Sequence, residues 1–474
     1  MTDAPDVRDL VREALAGERA WVVGGAVRDR LLGRTVLDVD VAIDGDPRAA
    51  ATAVARAAGR GAARFELSDA FGTWRVVGPS QGWQVDVSPV RGGSIEADLA
   101  LRDLTINAMA EPVAGGPVVD PFGGEADLAA RRARAASERA FADDPLRCLR
   151  VARFACELEL DVEPGTAALV RRHAGDLASV AGERVFAELK RIVAAPRIRA
   201  GLELMARLDL TPVVLPELAA LDGVEQNRYH HADVLGHTLE VLDATLALEA
   251  DPGAVLGAEH AEAIAALLDE PLADGLTRRD ALRLGALLHD AAKPQTRAVG
   301  PDGETLGFPR HDVVGAEMAR DALERLRASE RLRAHVAALT RHHLRLGFLV
   351  HHRPLSRRAI YEYLTTTEPV EVDVTLLSVA DRLATRGRKA DEAIAKHVDL
   401  AREVVGEALR WRAGATRPRP LLRGDELARE LGIAPGPELG RLLAALAEAQ
   451  FAGEVRDRQE ALAAARSLLS SEGP

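Results

Sequence analysis

Cysteine is nearly missing from this chain of 474 residues; Cys148 and Cys156 are its only two. Both fall on one expected helix, too far apart along its axis to bridge, so reduced thiols and a cytoplasmic location are expected. Buried small apolar side chains are the plain reading of both. Aromatic residues make up only 3% of the chain, although hydrophobic residues make up 47%. Alanine, leucine and arginine dominate instead, a composition that favours helices. No run of about 18 apolar residues occurs, so no membrane span is expected. The start, Met1-Thr2-Asp3-Ala4-Pro5-Asp6, lacks the basic and apolar regions of a secretory signal. An excess of positive charge is missing too, since the formal net charge is −12. That argues against a broad, non-specific nucleic-acid binder, while leaving room for a local basic track. No internal repeat or low-complexity tract is evident. The length suits several domains with more than one core.

What is there centres on Leu37-Asp38-Val39-Asp40-Val41-Ala42-Ile43. On a strand, residues two apart share a face, so Asp38 and Asp40 project side by side while Val39 and Val41 face the other way. Adjacent carboxylates repel unless a cation lies between them. Oxygen-rich sites of this kind suit Mg²⁺ bridging to substrate phosphates. By itself the pair reads better as a solvated strand edge. Just upstream, Trp21-Val22-Val23-Gly24-Gly25-Ala26-Val27-Arg28-Asp29 reads as a strand, a glycine turn and a helix start with an arginine. Glycines let backbone N–H groups approach a phosphate, and a helix start favours the anion. Together the two stretches point to a nucleoside-triphosphate site.

These residues resemble the nucleotidyltransferase head of the CCA-adding tRNA nucleotidyltransferase and bacterial poly(A) polymerase family (class II), which carries Gly-Gly-x-Val-Arg-Asp followed by Asp-x-Asp. The resemblance implies a small polymerase-β-like head. It also implies that Asp38 and Asp40 hold Mg²⁺ and that Gly24, Gly25 and Arg28 bind the nucleotide. Further along, Gln84-Val85-Asp86-Val87 places Asp86 opposite Val85 and Val87, and the family has a third carboxylate here, in a segment leading to Arg91. Asp86 is therefore expected to help deprotonate the attacking 3′-hydroxyl. Asp98-Leu99-Ala100-Leu101-Arg102-Asp103-Leu104-Thr105-Ile106-Asn107-Ala108 resembles the family's Arg-Arg-Asp-x-Thr-x-Asn-Ala stretch, with Leu101 in place of the first arginine. Arg102, Asp103 and Asn107 are the implied nucleotide contacts.

Asp143-Asp144-Pro145-Leu146-Arg147 matches the family's Glu-Asp-x-x-Arg motif, with Asp143 one methylene shorter than the usual glutamate. Asp144 before Pro145 is a good helix cap with proline at the first helical position. Arg147, Arg150 and Arg153 recur every three residues and line one side of the first turns, while Leu146, Leu149 and Phe154 face the core. The resemblance makes this helix a template for the incoming base. Asp144 accepts from an exocyclic amine and Arg147 donates to ring N or O, with Arg150 and Arg153 beside them. Helices are expected near 165–173, 181–194 and 197–208, forming a neck.

A second constellation begins at His230. It contains His237, then His289-Asp290 after an apolar run, His311, the pair His342-His343, and Asp381. Imidazole and carboxylate on successive helices suit Mn²⁺, Fe²⁺, Ni²⁺ or Co²⁺. The set resembles the HD phosphohydrolase superfamily, with His237, His289, Asp290 and Asp381 as the core quartet. His311 and one of His342 and His343 are candidates for a second metal, and spacing does not choose between the last two. A metal there would activate water against a phosphoester. Near the end, a basic, proline-containing stretch around Arg412–Arg423 reads as a connector or an RNA-phosphate contact. Leu431–Gly440 matches the family's C-terminal Gly-x-x-Pro-Gly-x-x-Leu-Gly segment.

The expected fold is α+β: a head with a mixed sheet over 1–140, a helical neck over 141–225, an HD domain over 226–390 and a helical tail over 391–474. The expected activity is template-independent addition of CCA, or part of it, to tRNA 3′ ends from CTP and ATP. Three alternatives stand beside it. One is a poly(A) polymerase of the same family, another an HD phosphohydrolase with a vestigial head, and the third a non-catalytic RNA-binding protein.

Overall fold

The alternation of Asp38-Val39-Asp40-Val41 is realised as a strand in the computed structural model, which describes residues 7–68, 72–79, 82–226, 232–301, 304–385 and 390–471. Met1–Asp6 and His230 lie outside the described residues. Six strands form one sheet: β1 (Ala20–Val23), β2 (Asp38–Ile43), β3 (Ala63–Ser68), β4 (Thr73–Val77), β5 (Gln84–Pro89) and β6 (Ala110–Pro112), in the order β3-β4-β5-β2-β1-β6. β2 and β5 run parallel and the other pairs antiparallel, so the sheet is mixed.

One face of this sheet buries Val22, Val39, Val41, Ile43, Val76, Val85 and Val87 against the helices Val7–Ala14 and Pro47–Ala58. The second of these helices starts where sequence puts it: the Asp46 side chain accepts from the Arg48 N–H, Pro47 opens the first turn and Gly59 follows the last. On the opposite face Val23 and Ala42 pack beneath Ile95, Leu99, Ala108 and Ala136. That cover stops short of Asp38 and Asp40, both of which are exposed. A substitution such as Val39→Ala would remove part of the core layer at about 1–3 kcal/mol.

The chain divides into two compact units, Met1–Val214 and Leu215–Pro474. In the first, helix Leu146–Leu158 packs on helices Gly182–Ala194 and Ile198–Arg207, close to the expected bounds. Cys148 and Cys156 are buried on that helix as free thiols. Burial pushes the Cys148 thiol up to about 12 and the Cys156 thiol up to about 11, so both stay protonated.

In the second unit, helices Val234–Ala250, Arg278–Leu288, His311–Arg325, Glu330–His342 and Glu371–Ala384 pack together. Helices Gly424–Leu431, Pro437–Ala452 and Arg458–Ser471 form a separate apolar cluster. Three of the chain's few aromatics meet between these parts, with Tyr361 5.8 Å from Trp411 and 5.4 Å from Phe451, ring centre to ring centre. Arg358 adds ion pairs to Glu448 and Glu454. No described helix is long and apolar enough to cross a membrane.

Candidate functional sites in the head and in the helical unit

Parallel pairing sets Asp40 level with Asp86, and Asp38 level with Gln84. In parallel strands paired residues share a face, so Asp38, Asp40 and Asp86 stand together on the uncovered side of the sheet. Asp40 reaches solvent but is walled by protein, and that burial raises its carboxyl above the ordinary range. Asp86 and Asp38 push the same way, against the pull of Arg102 and Arg150. Crowded carboxylates of this kind fit a hard divalent cation, which would relieve the repulsion. Asp86 is not free, however: Arg75 donates from Nε to Oδ1 at 2.7 Å and from Nη2 to Oδ2 at 2.6 Å.

Gly24 sits beside this face with φ 73°, and a Cβ there would lie 2.5 Å from Arg102 Nη1. The positive φ favours glycine here, and the missing side chain leaves the tip of Arg102 its place. Arg102 reaches Asp98 at 3.5 Å, while its buried Nε has no acceptor among the described residues. It therefore keeps a donor unspent next to the glycine turn. Arg28 differs from expectation. It is buried, its Nε and Nη2 each donate to Asp29 at 2.9 Å, and its Nη1 donates to Asn107 at 2.5 Å. Here Arg28 braces the turn through Asp29 and Asn107.

Asn107 in turn donates to Asp103 at 3.0 Å, and Arg150 Nε donates to the other Asp103 oxygen at 2.7 Å. Burial alone would raise the Asp103 carboxyl, but Arg150 and the hydrogen bonds from Asn107 and Leu104 hold it well below the usual range. Asp103 and Asn107 thus join the glycine turn to the helix Leu146–Leu158.

Just before that helix, Asp144 accepts from the Leu146 N–H at 3.2 Å and from Arg184 at 2.9 Å. The helix begins at Leu146, one residue after the expected start. Arg147 is half-buried and donates to the Leu101 carbonyl at 2.7 Å and the Ala140 carbonyl at 3.0 Å. Arg153 corrects the sequence reading: it is 2% exposed, pairs with Glu188 and Glu157, and lies over the Phe154 ring. It ties helix Leu146–Leu158 to helix Gly182–Ala194 and is too buried to line an open face.

In the second unit, His237 comes from helix Val234–Ala250 and His289-Asp290 from the end of helix Arg278–Leu288. His311 opens helix His311–Arg325, His343 follows helix Glu330–His342, and Asp381 lies in helix Glu371–Ala384. His237, His289 and Asp381 form one group whose ligand atoms lie within 4.8 Å of one another, and Asp290, His311 and His343 form another. The Nδ1–H groups of His289, His311 and His343 donate to the carbonyls of Ala286, Phe308 and Thr340 at 2.8, 2.7 and 2.7 Å. Each Nε2 is thereby turned inward: that of His289 lies 3.1 Å from Asp290 Oδ2, and those of His311 and His343 lie 3.3 Å apart. Burial pushes the His343 imidazole down to about 4, which also keeps it neutral. The donor set suits a borderline transition metal in each group. Of the adjacent pair, His343 belongs to the cluster, whereas His342 is only half-buried and lies in neither group.

Sequence reasoning missed Arg75 and Lys293. Arg75 was signalled by alternation, since it points away from Val76 within β4. Lys293 lies three residues beyond Asp290 and contacts it at 2.7 Å, with Gln226 accepting its other bond at 2.8 Å.

Three family profiles match in order. They are described as "Poly A polymerase head domain" over residues 20–134, "Probable RNA and SrmB- binding site of polymerase A" over 159–221 and "HD domain" over 234–386. An A-adding tRNA nucleotidyltransferase of Deinococcus radiodurans is 37% identical, over 94% of this chain and 94% of its own. A CC-adding tRNA nucleotidyltransferase of Thermus thermophilus is 36% identical, over 94% and 92% respectively. The fold is shared with a solved CCA-adding enzyme in complex with CTP, with a TM-score of 0.66 at 20% identity over 99% of this chain and 96% of that one.

Proposed function

The chain belongs to the tRNA nucleotidyltransferase family, and on that premise we propose that it adds CCA, or part of it, to tRNA 3′ ends using CTP and ATP. The observation that carries this reading is the register of β2 and β5, which puts Asp40 level with Asp86 and leaves Asp38 exposed on the same face. In this reading Asp38 and Asp40 hold a Mg²⁺ ion, which when bound would stabilise charge on the reacting phosphate. Asp86 stands beside the pair to accept the proton of the 3′-hydroxyl. Gly24, Gly25 and Arg102 line the triphosphate, with Arg28, Asn107 and Asp103 fixing them from behind. Asp144 and Arg147 offer an acceptor and donors to the base edge, the pattern that cytosine and adenine require.

The test is incubation with tRNA lacking its 3′ end, CTP and ATP, followed by sequencing of the products. Ends extended by C, by A or by CCA are expected. A long adenosine tract made from ATP alone would favour a poly(A) polymerase instead, and no incorporation would overturn the reading.

A second reading concerns the helical unit. His237, His289, Asp290 and Asp381, with His311 and His343, support a phosphohydrolase centre using Mn²⁺, Ni²⁺, Co²⁺ or Fe²⁺. We also divide the chain functionally into a head (1–140), neck (141–225), HD domain (226–390) and tail (391–474).

A further inference from the structure

Arg75 and Asp86 are directly opposed across β4 and β5. On its other side Asp86 stands level with Asp40. One carboxylate is therefore flanked by a cation in one neighbouring strand and an anion in the other. Trp74, Val76, Val85 and Val87 belong to the core cluster, so Arg75 and Asp86 share the face that carries Asp38 and Asp40. The pair is shielded, with side-chain exposures of 26% and 17%. It is thus not one of the loose surface pairs that contribute almost nothing. A bidentate fork occupies one lone pair on each carboxylate oxygen and leaves another free on each. Asp86 can be held and still accept from a second partner. The guanidinium pKa is raised, first by the hydrogen bonds to Asp86 and further by the charges of Asp38 and Asp40, so all three carboxylates act on it.

We propose that Arg75 is a positioning residue of the head site, fixing Asp86 beside Asp40 and offsetting the charge of the three carboxylates so as to set how tightly a divalent cation is held. This rests on the reading of Asp38 and Asp40 as the cation-holding pair. Two consequences separate charge from geometry. Removing the positive charge makes the site more negative, so cations bind more tightly. Removing the fork frees Asp86 to rotate, so the reacting groups are held less well.

The experiment uses the full chain as wild type, Arg75→Met, Arg75→Lys and Asp40→Ala. Mn²⁺ binding is followed by electron paramagnetic resonance, and kcat and KM are measured for nucleotide addition to tRNA with Mg²⁺. Asp40→Ala defines the Mn²⁺ bound outside the head. Arg75→Met is expected to bind head Mn²⁺ roughly three- to tenfold more tightly. Its kcat should fall about tenfold or more, with little change in KM for ATP. Arg75→Lys should bring Mn²⁺ affinity back to wild type but not kcat, because an ammonium cannot form the fork. If Arg75→Met does not fold, Arg75→Lys carries the test alone, and wild-type kcat in it overturns the proposal. Wild-type Mn²⁺ affinity and kcat in Arg75→Met would likewise make this an ordinary strand pair. If Asp40→Ala itself leaves Mn²⁺ binding and addition unchanged, it is the reading of the head that fails.

Discussion

Arg150 Nε donates to Asp103 Oδ2 across 2.7 Å, and this one ion pair joins helix Leu146–Leu158 to the stretch that carries Arg102 and Asn107. Asp103 is buried and its carboxyl is held below the ordinary range, chiefly by Arg150 acting against burial. A carboxylate depressed in the fold contributes stability that is present above its unfolded pKa of about 3.9 and lost as pH falls below it. Asp103→Asn should therefore cost about 2–4 kcal/mol at pH 7, with a smaller difference from wild type at pH 3. Denaturant unfolding at both pH values measures it. A cost that does not depend on pH would show that shape, not charge, is what Asp103 supplies.

Asp38→Ala and Asp40→Ala should each abolish nucleotide addition without unfolding the chain. Both side chains are exposed on the sheet's uncovered face, so no core contact is lost. Activity on tRNA and thermal unfolding are the measurements. Full addition by either variant would remove the cation assignment.

Arg147→Ala should lower selection of the correct base more than it lowers triphosphate binding. One charge-assisted hydrogen bond to a base edge is worth roughly 1.5–3 kcal/mol, about tenfold or more in preference. Contacts from the glycine turn and Arg102 are untouched by the change. The check is kcat/KM for CTP, ATP, GTP and UTP beside triphosphate affinity. Wild-type discrimination in the variant would reduce the helix to a joint, consistent with Arg147 donating to the Leu101 and Ala140 carbonyls.

The histidine cluster should hydrolyse 2′,3′-cyclic nucleotides or phosphomonoesters with Mn²⁺, Ni²⁺ or Co²⁺, independently of the head. A His289→Ala/Asp290→Ala double variant should lose this and keep nucleotide addition. His343→Ala should weaken metal uptake, whereas His342→Ala, outside both ligand groups, should leave it unchanged. Equal hydrolysis by wild type and the double variant would sink the assignment.

His397 provides a pH test beside the histidine cluster, where the charge of Asp381 opposes its depression. It is 2% exposed, its Nε2 lies 3.2 Å from Ser378 Oγ, and burial, helped by Arg382, pushes it down to about 4. An imidazole depressed in the fold stays neutral there while the unfolded chain takes the proton first. Its contribution is therefore full above about pH 6.5 and declines as pH falls toward 4. Wild type should lose up to about 2 kcal/mol through this group between pH 7 and 5. His397→Gln should show a shallower loss in denaturant titrations.

Much of the head was legible in the sequence because strand alternation is a strong, short-period signal. Asp38-Val39-Asp40-Val41 and Val85-Asp86-Val87 each announced which face was wet, and the fold keeps those faces. Arg153 was not legible for a reason of the same kind. Residues three apart on a helix drift about 60° per step, so two steps from Arg147 carry Arg153 round toward helix Gly182–Ala194, where Glu188 and Glu157 await it. Arg28 looked like a phosphate ligand although Asp29, the next residue, takes two of its bonds; its third partner, Asn107, is distant in sequence. The choice of His343 over His342 needed the end of helix Glu330–His342, where one residue of rotation turns a side chain from the flank to the interior. Short pieces such as Ala110–Pro112 carry too few residues for any period to show.

The six residues of β2 serve two masters at alternate positions: Val39 and Val41 belong to the core while Asp38 and Asp40 meet the solvent. The chemistry and the heat tolerance of the head are consequently written in the same few codons. A densely filled interior passes a small change of volume to its neighbours. Val41→Ile would thus lift the floor on which Asp40 stands without touching any substrate. Refilling this layer therefore moves the carboxylates from beneath, through the strand that both share.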